Sequence, residues 1–218
     1  MHQRTVIIST YDATINKSLF FRYESMKTNK SYIFLLSIVS IVLLGTSKAS
    51  ANLFSIDNNH TSVTFEVIHY GVSTVRARFN EKQGTIFYNK KKKALQFDMS
   101  LKTGSVDSGI TPFDNHLKSK DFFRTEEFPE IRLKSREITF LGDNIEKINA
   151  SLEMLGKENT VTLYPERFGC YLNPRKKKEV CGGDFAFEID RTLWGMNYGV
   201  PTIPKKVKIL IQIEAVRN

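Results

Sequence analysis

From residue 53 onward the chain alternates between apolar and polar positions. Val63, Phe65, Val67 and His69 are interleaved with Ser62, Thr64, Glu66 and Ile68. Leu95, Phe97, Met99 and Leu101 alternate with Gln96, Asp98 and Ser100. Val207, Ile209, Ile211, Ile213 and Ala215 alternate with Lys208, Gln212 and Glu214. A period of two marks a strand with one face in a core and the other in water. Shorter stretches of the same kind predict strands at 53–56, 72–79, 85–88 (after a turn at Gly84), 131–134, 161–163 and 185–189. Tyr70-Gly71 breaks one run from the next. Gly142-Asp143-Asn144 predicts a hairpin turn between Ile138/Phe140 and the run from Ile145 to Met154.

One stretch, Thr111 to Pro129, does not alternate. Thr111 suits an N-cap, Pro112 the first helical position, and Asp114 the place of a capping carboxylate. Phe113, His116 and Leu117 then share one face at helical spacing. Phe122, Phe123 and Phe128 follow. A short helix flanked by so much apolar surface should cover or plug the β-body. Eight or so antiparallel strands with no βαβ unit predict a closed barrel or a sandwich. An eight-stranded barrel is wide enough to hold side chains or one small ligand.

The first 51 residues read differently. Lys27 and Lys30 precede an apolar run from Ile33 to Leu44, and Ala49-Ser50-Ala51 ends it with small residues. A run of 12 residues is too short for a membrane span, which needs about 20. It fits a secretory signal peptide at 26–51, cleaved after Ala51, with export to the periplasm. Residues 1–25 read as an over-extended start ahead of a true initiator at Met26, leaving 52–218 as the barrel domain. Removing the leader lowers the formal charge from +9 to +5. The runs Lys90–Lys93 and Arg175–Lys178 read as solvated turns, with transient contact to an anionic membrane as a second reading and nucleic acid excluded for an exported protein.

Cys170 and Cys181 flank a polar, lysine-rich loop. Behind a signal peptide they are expected to form a disulfide. His60, His69 and His116 are far apart, with no metal-ligand spacing, and a structural role is expected for each. There is no Gly-rich phosphate loop, no CxxC, no HExxH and no G-x-S-x-G. No metal or cofactor is expected, and nothing in the pattern demands an enzyme.

Several segments, taken in order, resemble the YceI-like family of exported, lipocalin-like polyisoprenoid-binding proteins. They include Ile56-Asp57-Asn-Asn-His60-Thr-Ser62-Val-Thr-Phe65 and His69-Tyr-Gly71-Val-Ser73-Thr-Val-Arg76. Gly84-Thr85-Ile86, Asp114-Asn-His116-Leu117-Lys-Ser119-Lys-Asp121-Phe122-Phe123, Phe128-Pro129, Lys134-Ser135, Leu155-Gly156, Val161-Thr162-Leu163 and Asp190-Arg191-Thr-Leu-Trp194-Gly195-Met196 complete the set. The resemblance implies a lipocalin-type antiparallel barrel enclosing a polyprenyl chain or isoprenoid quinone, and a homodimer is compatible with it. The tail is expected against Phe65, Val67, Phe79, Phe97, Met99, Phe187 and Trp194, with Leu117, Phe122 and Phe123 closing one end. Arg76, Arg78 or Arg191 is the expected partner of a phosphate or quinone head. Two rival readings stand beside it: a lipid-modifying enzyme using His60 or His116 as base, and a filled barrel acting as a structural or partner-binding module.

Overall fold

The computed structural model describes residues 52–218. The expected leader at 26–51 and the stretch before it lie outside the described residues. Eleven strands follow one another: β1 Leu53–Ile56, β2 Ser62–His69, β3 Ser73–Phe79, β4 Lys82–Asn89, β5 Ala94–Lys102, β6 Val106–Asp107, β7 Glu130–Leu141, β8 Asn144–Met154, β9 Lys157–Asn173, β10 Lys178–Asp190 and β11 Lys206–Arg217. Among the described residues a single α-helix, α1 (Thr111–Lys118), is inserted between β6 and β7.

The pairings reduce these strands to eight wall positions. β1 and β2 lie in line, joined by a short 3₁₀ turn, and pair with the in-line strands β4 and β3. β4 and β3 pair in turn with β5 and β6. β5, β7, β8, β9, β10 and β11 then follow as an antiparallel meander. β11 closes the ring, pairing with β1 through Phe54 and Arg217 and with β2 through Val63 and Ile211. The result is a closed eight-stranded antiparallel barrel. Closure removes the free edges that an open sheet would expose. The alternating apolar residues point inward and form one continuous core.

The alternation located the strands but misjudged three local features. Gly84 is not a turn. It sits inside β4 opposite Met99, where a Cβ would fall 2.4 Å from the Asp98 carbonyl oxygen. Only glycine lets the two strands approach that closely. The segment between the cysteines is not a loop between two strands. β9 and β10 run through it as a hairpin turning at 174–177, and Cys170 faces Cys181 across the pair with their Cα atoms 4.0 Å apart. Asp114 does not cap α1. Thr111 is not the N-cap either but the first helical residue; Ile110 stands before it and offers no side-chain cap, and the Asp114 carboxylate accepts from the Ser108 backbone N–H at 2.7 Å and from its hydroxyl. It thereby pins the loop leading into α1.

Asp57 ties the disulfide hairpin to the β1–β2 junction. Its carboxylate accepts from Lys176 Nζ at 2.5 Å and the Asn59 N–H at 3.1 Å, with His60 Nδ1 at 3.2 Å. The hydrogen bond from Lys176, opposed by partial burial, lowers its pKa from 3.8 to about 2. A carboxylate depressed in the folded state stabilises the fold above its unfolded pKa and loses that contribution as pH falls toward its folded pKa. The stability of the wild type is therefore expected to fall more steeply than that of Asp57→Asn as pH drops from 3.8 to about 2. Denaturant midpoints across that range check this, and parallel curves contradict it. Gly84→Ala is expected to cost about 2 kcal/mol or more, because the contact is to backbone and cannot swing away. Thermal unfolding with an unchanged midpoint would show the approach to be slack.

Candidate functional site

The two halves of the barrel are packed differently. Toward the end that holds the 89–94 turn, the interior is solid. Phe54, Ile148, Ala150, Leu163, Cys181 and Ala215 are each 2% exposed or less. Toward the end that carries α1, the side chains stand apart around a cavity of about 330 Å³. Every wall position except β9 contributes to its lining. The lining is overwhelmingly aliphatic and aromatic, within the size range of small-ligand pockets.

Two aromatic trios hold the segment after α1 against the barrel. Phe123 packs on Phe65 and Phe79 with ring centroids 5.9 and 5.3 Å apart, and Phe65 lies 6.0 Å from Phe79. Edge-on packing of this kind adds about 0.5–1.5 kcal/mol per pair beyond burial. Nearer the opening, His116, Phe122 and Tyr198 meet at 4.8 to 5.4 Å. Leu117 is buried beneath them, and Phe113 and His116 line the cavity from the same face of α1. The helix thus covers the open end without sealing it.

Eight of the ten expected tail-contacting residues stand on the cavity wall: Phe65, Val67, Phe79, Met99, Leu117, Phe122, Phe123 and Phe187. Phe97 and Trp194 do not. Phe97 points inward but packs against the solid core, because alternation reports which side a residue faces and not how deep it lies. Trp194 is 2% exposed and its indole N–H donates to the Leu152 carbonyl at 3.1 Å. It lies beside β9 and β10 and is absent from the cavity lining.

The expected head-group arginines are also redistributed. Arg76 and Arg78 lie on the outer face, bound to Glu66 at 2.6 Å and Asp107 at 3.3 Å, and neither lines the cavity. Their alternation with Val75, Ala77 and Phe79 already placed them opposite the core. Arg191 does line the cavity, but its guanidinium donates to the carbonyls of Pro204 at 3.1 Å, Met196 at 2.8 Å, Tyr198 at 2.7 Å and Ile203 at 3.2 Å. Burial pushes its pKa below the usual arginine value. Its donors hold the 196–204 loop, which supplies Met196, Tyr198 and Ile203 to the cavity.

His116 and His60 each have an aspartate at hydrogen-bond distance: Asp121 at 3.1 Å and Asp57 at 3.2 Å. Among the described residues, no serine, threonine or cysteine side chain hydrogen-bonds to either ring. His60 lies on the 3₁₀ turn, away from the cavity lining. Sequence reasoning missed His69, Tyr70, Tyr198 and Ile203 as rim residues. His69 ends β2 in the same alternating run as Val63, Phe65 and Val67, which signalled its facing, whereas Tyr70, Tyr198 and Ile203 sit in turns and loops, where no periodicity reports orientation.

Comparison with known proteins agrees with this architecture. A model of the YceI-like domain matches residues 54–215. A UPF0312 protein of Photorhabdus laumondii is 29% identical over 185 residues, covering 81% of this chain and 93% of that protein. A UPF0312 protein of Shewanella putrefaciens is 33% identical over 123 residues, or 55% of this chain, and the match spans 64% of the relative's length. Among solved structures, BcnA of Burkholderia cenocepacia superposes with a TM-score of 0.60 at 18% identity, covering 73% of this chain and 99% of that one. A polyisoprenoid binding domain from Saccharophagus degradans, implicated in plant cell wall breakdown, superposes with a TM-score of 0.57 at 13% identity, covering 76% and 98%.

Replacing Arg191 by Met would leave four carbonyls without their donor. It is expected to destabilise the fold by about 3 kcal/mol or more, which for a domain of this size lowers the melting temperature by about 6 °C or more. Amides of the 196–204 loop should also exchange faster. A melting temperature within about 1 °C of wild type would contradict the anchoring role.

Proposed function

The chain belongs to the YceI-like family, and from that premise we propose that it is a periplasmic lipid-binding protein. It holds the tail of a polyprenyl lipid or isoprenoid quinone inside the barrel, for carriage, storage or protection under stress. The observation that carries this reading is the apolar cavity beneath α1, with its rim of histidine and tyrosine side chains. The polyisoprenoid-binding description of the Saccharophagus degradans domain supports the same ligand class.

The energetics suit a hydrocarbon tail. Each buried CH₂ contributes about 0.8 kcal/mol, so three isoprene units offer about 12 kcal/mol gross. Association costs at least about 4 kcal/mol, which leaves about 8 kcal/mol, or micromolar affinity. No head-group salt bridge is required. A polar head at the mouth meets His116 and Tyr198 more directly than any arginine. Those two rings pack together at 4.8 Å, and both line the cavity. The His116–Asp121 pair orients the imidazole there and serves recognition, with no covalent step assigned to it. Tyr70 and Val72, exposed at 63% and 87% beside the rim, suit transient contact with the membrane from which such a ligand comes.

Met99 and Leu133 face each other across β5 and β7 on the cavity wall. Met99→Trp is expected to fill the cavity and weaken binding of geranylgeraniol at least tenfold in calorimetric titration, while the folded far-ultraviolet spectrum is retained. Leu133→Trp should behave alike. Failure of the wild type to bind, or equal binding by both folded variants, contradicts the internal-tail reading.

A further inference from the structure

The cavity is shallow for a long tail. Its wall on β2 runs from Val63 to His69, six residues apart. At about 3.3 Å per residue that is about 20 Å. Carbon–carbon bonds of about 1.5 Å give an extended chain of nine isoprene units a length of about 45 Å. The cavity lining stops short of Phe54, Ile148, Leu163 and Phe185, which are buried in the far half of the barrel.

The wall does have a break. β9 and β10 pair from Asn173–Lys178 as far as Tyr164–Ala186, with a bulge where Asp184 faces Arg167 and Phe185 faces Pro165. The extra residue, Glu166, bends β9 away, and Pro165 brings no N–H to the ladder. Beyond that point 157–163 of β9 pair only with β8, and 187–190 of β10 only with β11. Among the described residues, no backbone hydrogen bond joins the two stretches. A groove opens between them. Its banks are Thr160 and Thr162 on β9 and Ala186 and Glu188 on β10, with Leu193 and Trp194 also in its lining.

The groove lies directly against the cavity wall. Phe187 and Ile189 line both. The outer lip is open and mixed, with two exposed apolar side chains, Tyr164 at 58% and Leu193 at 56%, among Thr160, Thr162, Glu188 and Lys208. Trp194 lies buried in the break, tethered to β8 through the Leu152 carbonyl.

We propose that the gap between β9 and β10 is a lateral portal. Through it the distal isoprene units of a long ligand leave the cavity, pass Trp194, and lie along Tyr164, Ala186 and Leu193 on the outer wall. The inference rests on the lipid-binding reading above and adds a second subsite to it. The near units occupy the cavity and the far units the groove, so affinity rises with chain length beyond what the cavity holds.

The test compares prenyl alcohols of three and nine isoprene units on the 52–218 protein. The wild type should bind the longer at least tenfold more tightly. Ala186→Trp fills the groove from the outer face, and Thr160→Trp does so from the other bank, in case the first fails to fold. Either folded variant should bind the three-unit alcohol within twofold of wild type and lose the advantage of the nine-unit one. A nine-unit alcohol with a terminal diazirine should cross-link to 157–164 or 184–193. Wild type that binds neither alcohol overturns the lipid-binding reading itself. Wild type that binds both equally, a variant that keeps the long-chain advantage, or one that loses both alcohols alike overturns the portal and leaves the cavity reading standing.

Discussion

Closure of the sheet through β11 is the constraint on which the rest depends. β11 pairs with β10 along one side and with β1 and β2 along the other. A closed wall satisfies most of its backbone groups within the sheet, the unpaired ends of β9 and β10 excepted, and forces alternate side chains into a shared interior. That interior must then be filled or left as a cavity, because the wall fixes its diameter. One half is filled by Phe54, Ile148, Leu163, Phe185 and their neighbours. The other half is bridged by α1, and the space beneath it remains. The cavity is thus the part of the enclosed interior that the side chains beneath α1 line without filling.

The barrel was legible because alternation is a local property that survives folding. Each inward residue of β2, β5 and β11 could be named from its place in a run. What failed were features set by neighbours remote in sequence. Gly84 looks like a turn until Asp98 is placed beside it. The cysteine segment looks like a loop because it is polar and lysine-rich, and Pro165, Gly169, Gly182 and Gly183 interrupt the alternation on either side of it. Those interruptions record the bulge at Pro165 and the close strand contacts at Gly182 and Gly183.

The site was legible to the same depth. Facing could be read, so Phe65, Val67, Phe79, Met99 and Phe187 were placed on the inner wall. Position along the barrel axis could not, so Phe97 was grouped with them. The arginines show the converse error. A charge near an apolar run invites a ligand role, yet Arg76 and Arg78 are matched to Glu66 and Asp107 outside, and Arg191 is spent on four carbonyls. The rim residues of the 196–204 loop owe their position to that buried guanidinium, which no linear pattern reveals.

The central claim is that the space beneath α1 holds an isoprenoid tail. Mass spectrometry of an organic-solvent extract of residues 52–218, purified from a bacterial periplasm without detergent, tests it most directly. The account predicts one polyprenyl or isoprenoid quinone species near one mole per mole of folded, disulfide-bonded protein. An extract of such protein that contains no isoprenoid would contradict it and favour a barrel whose cavity serves another purpose.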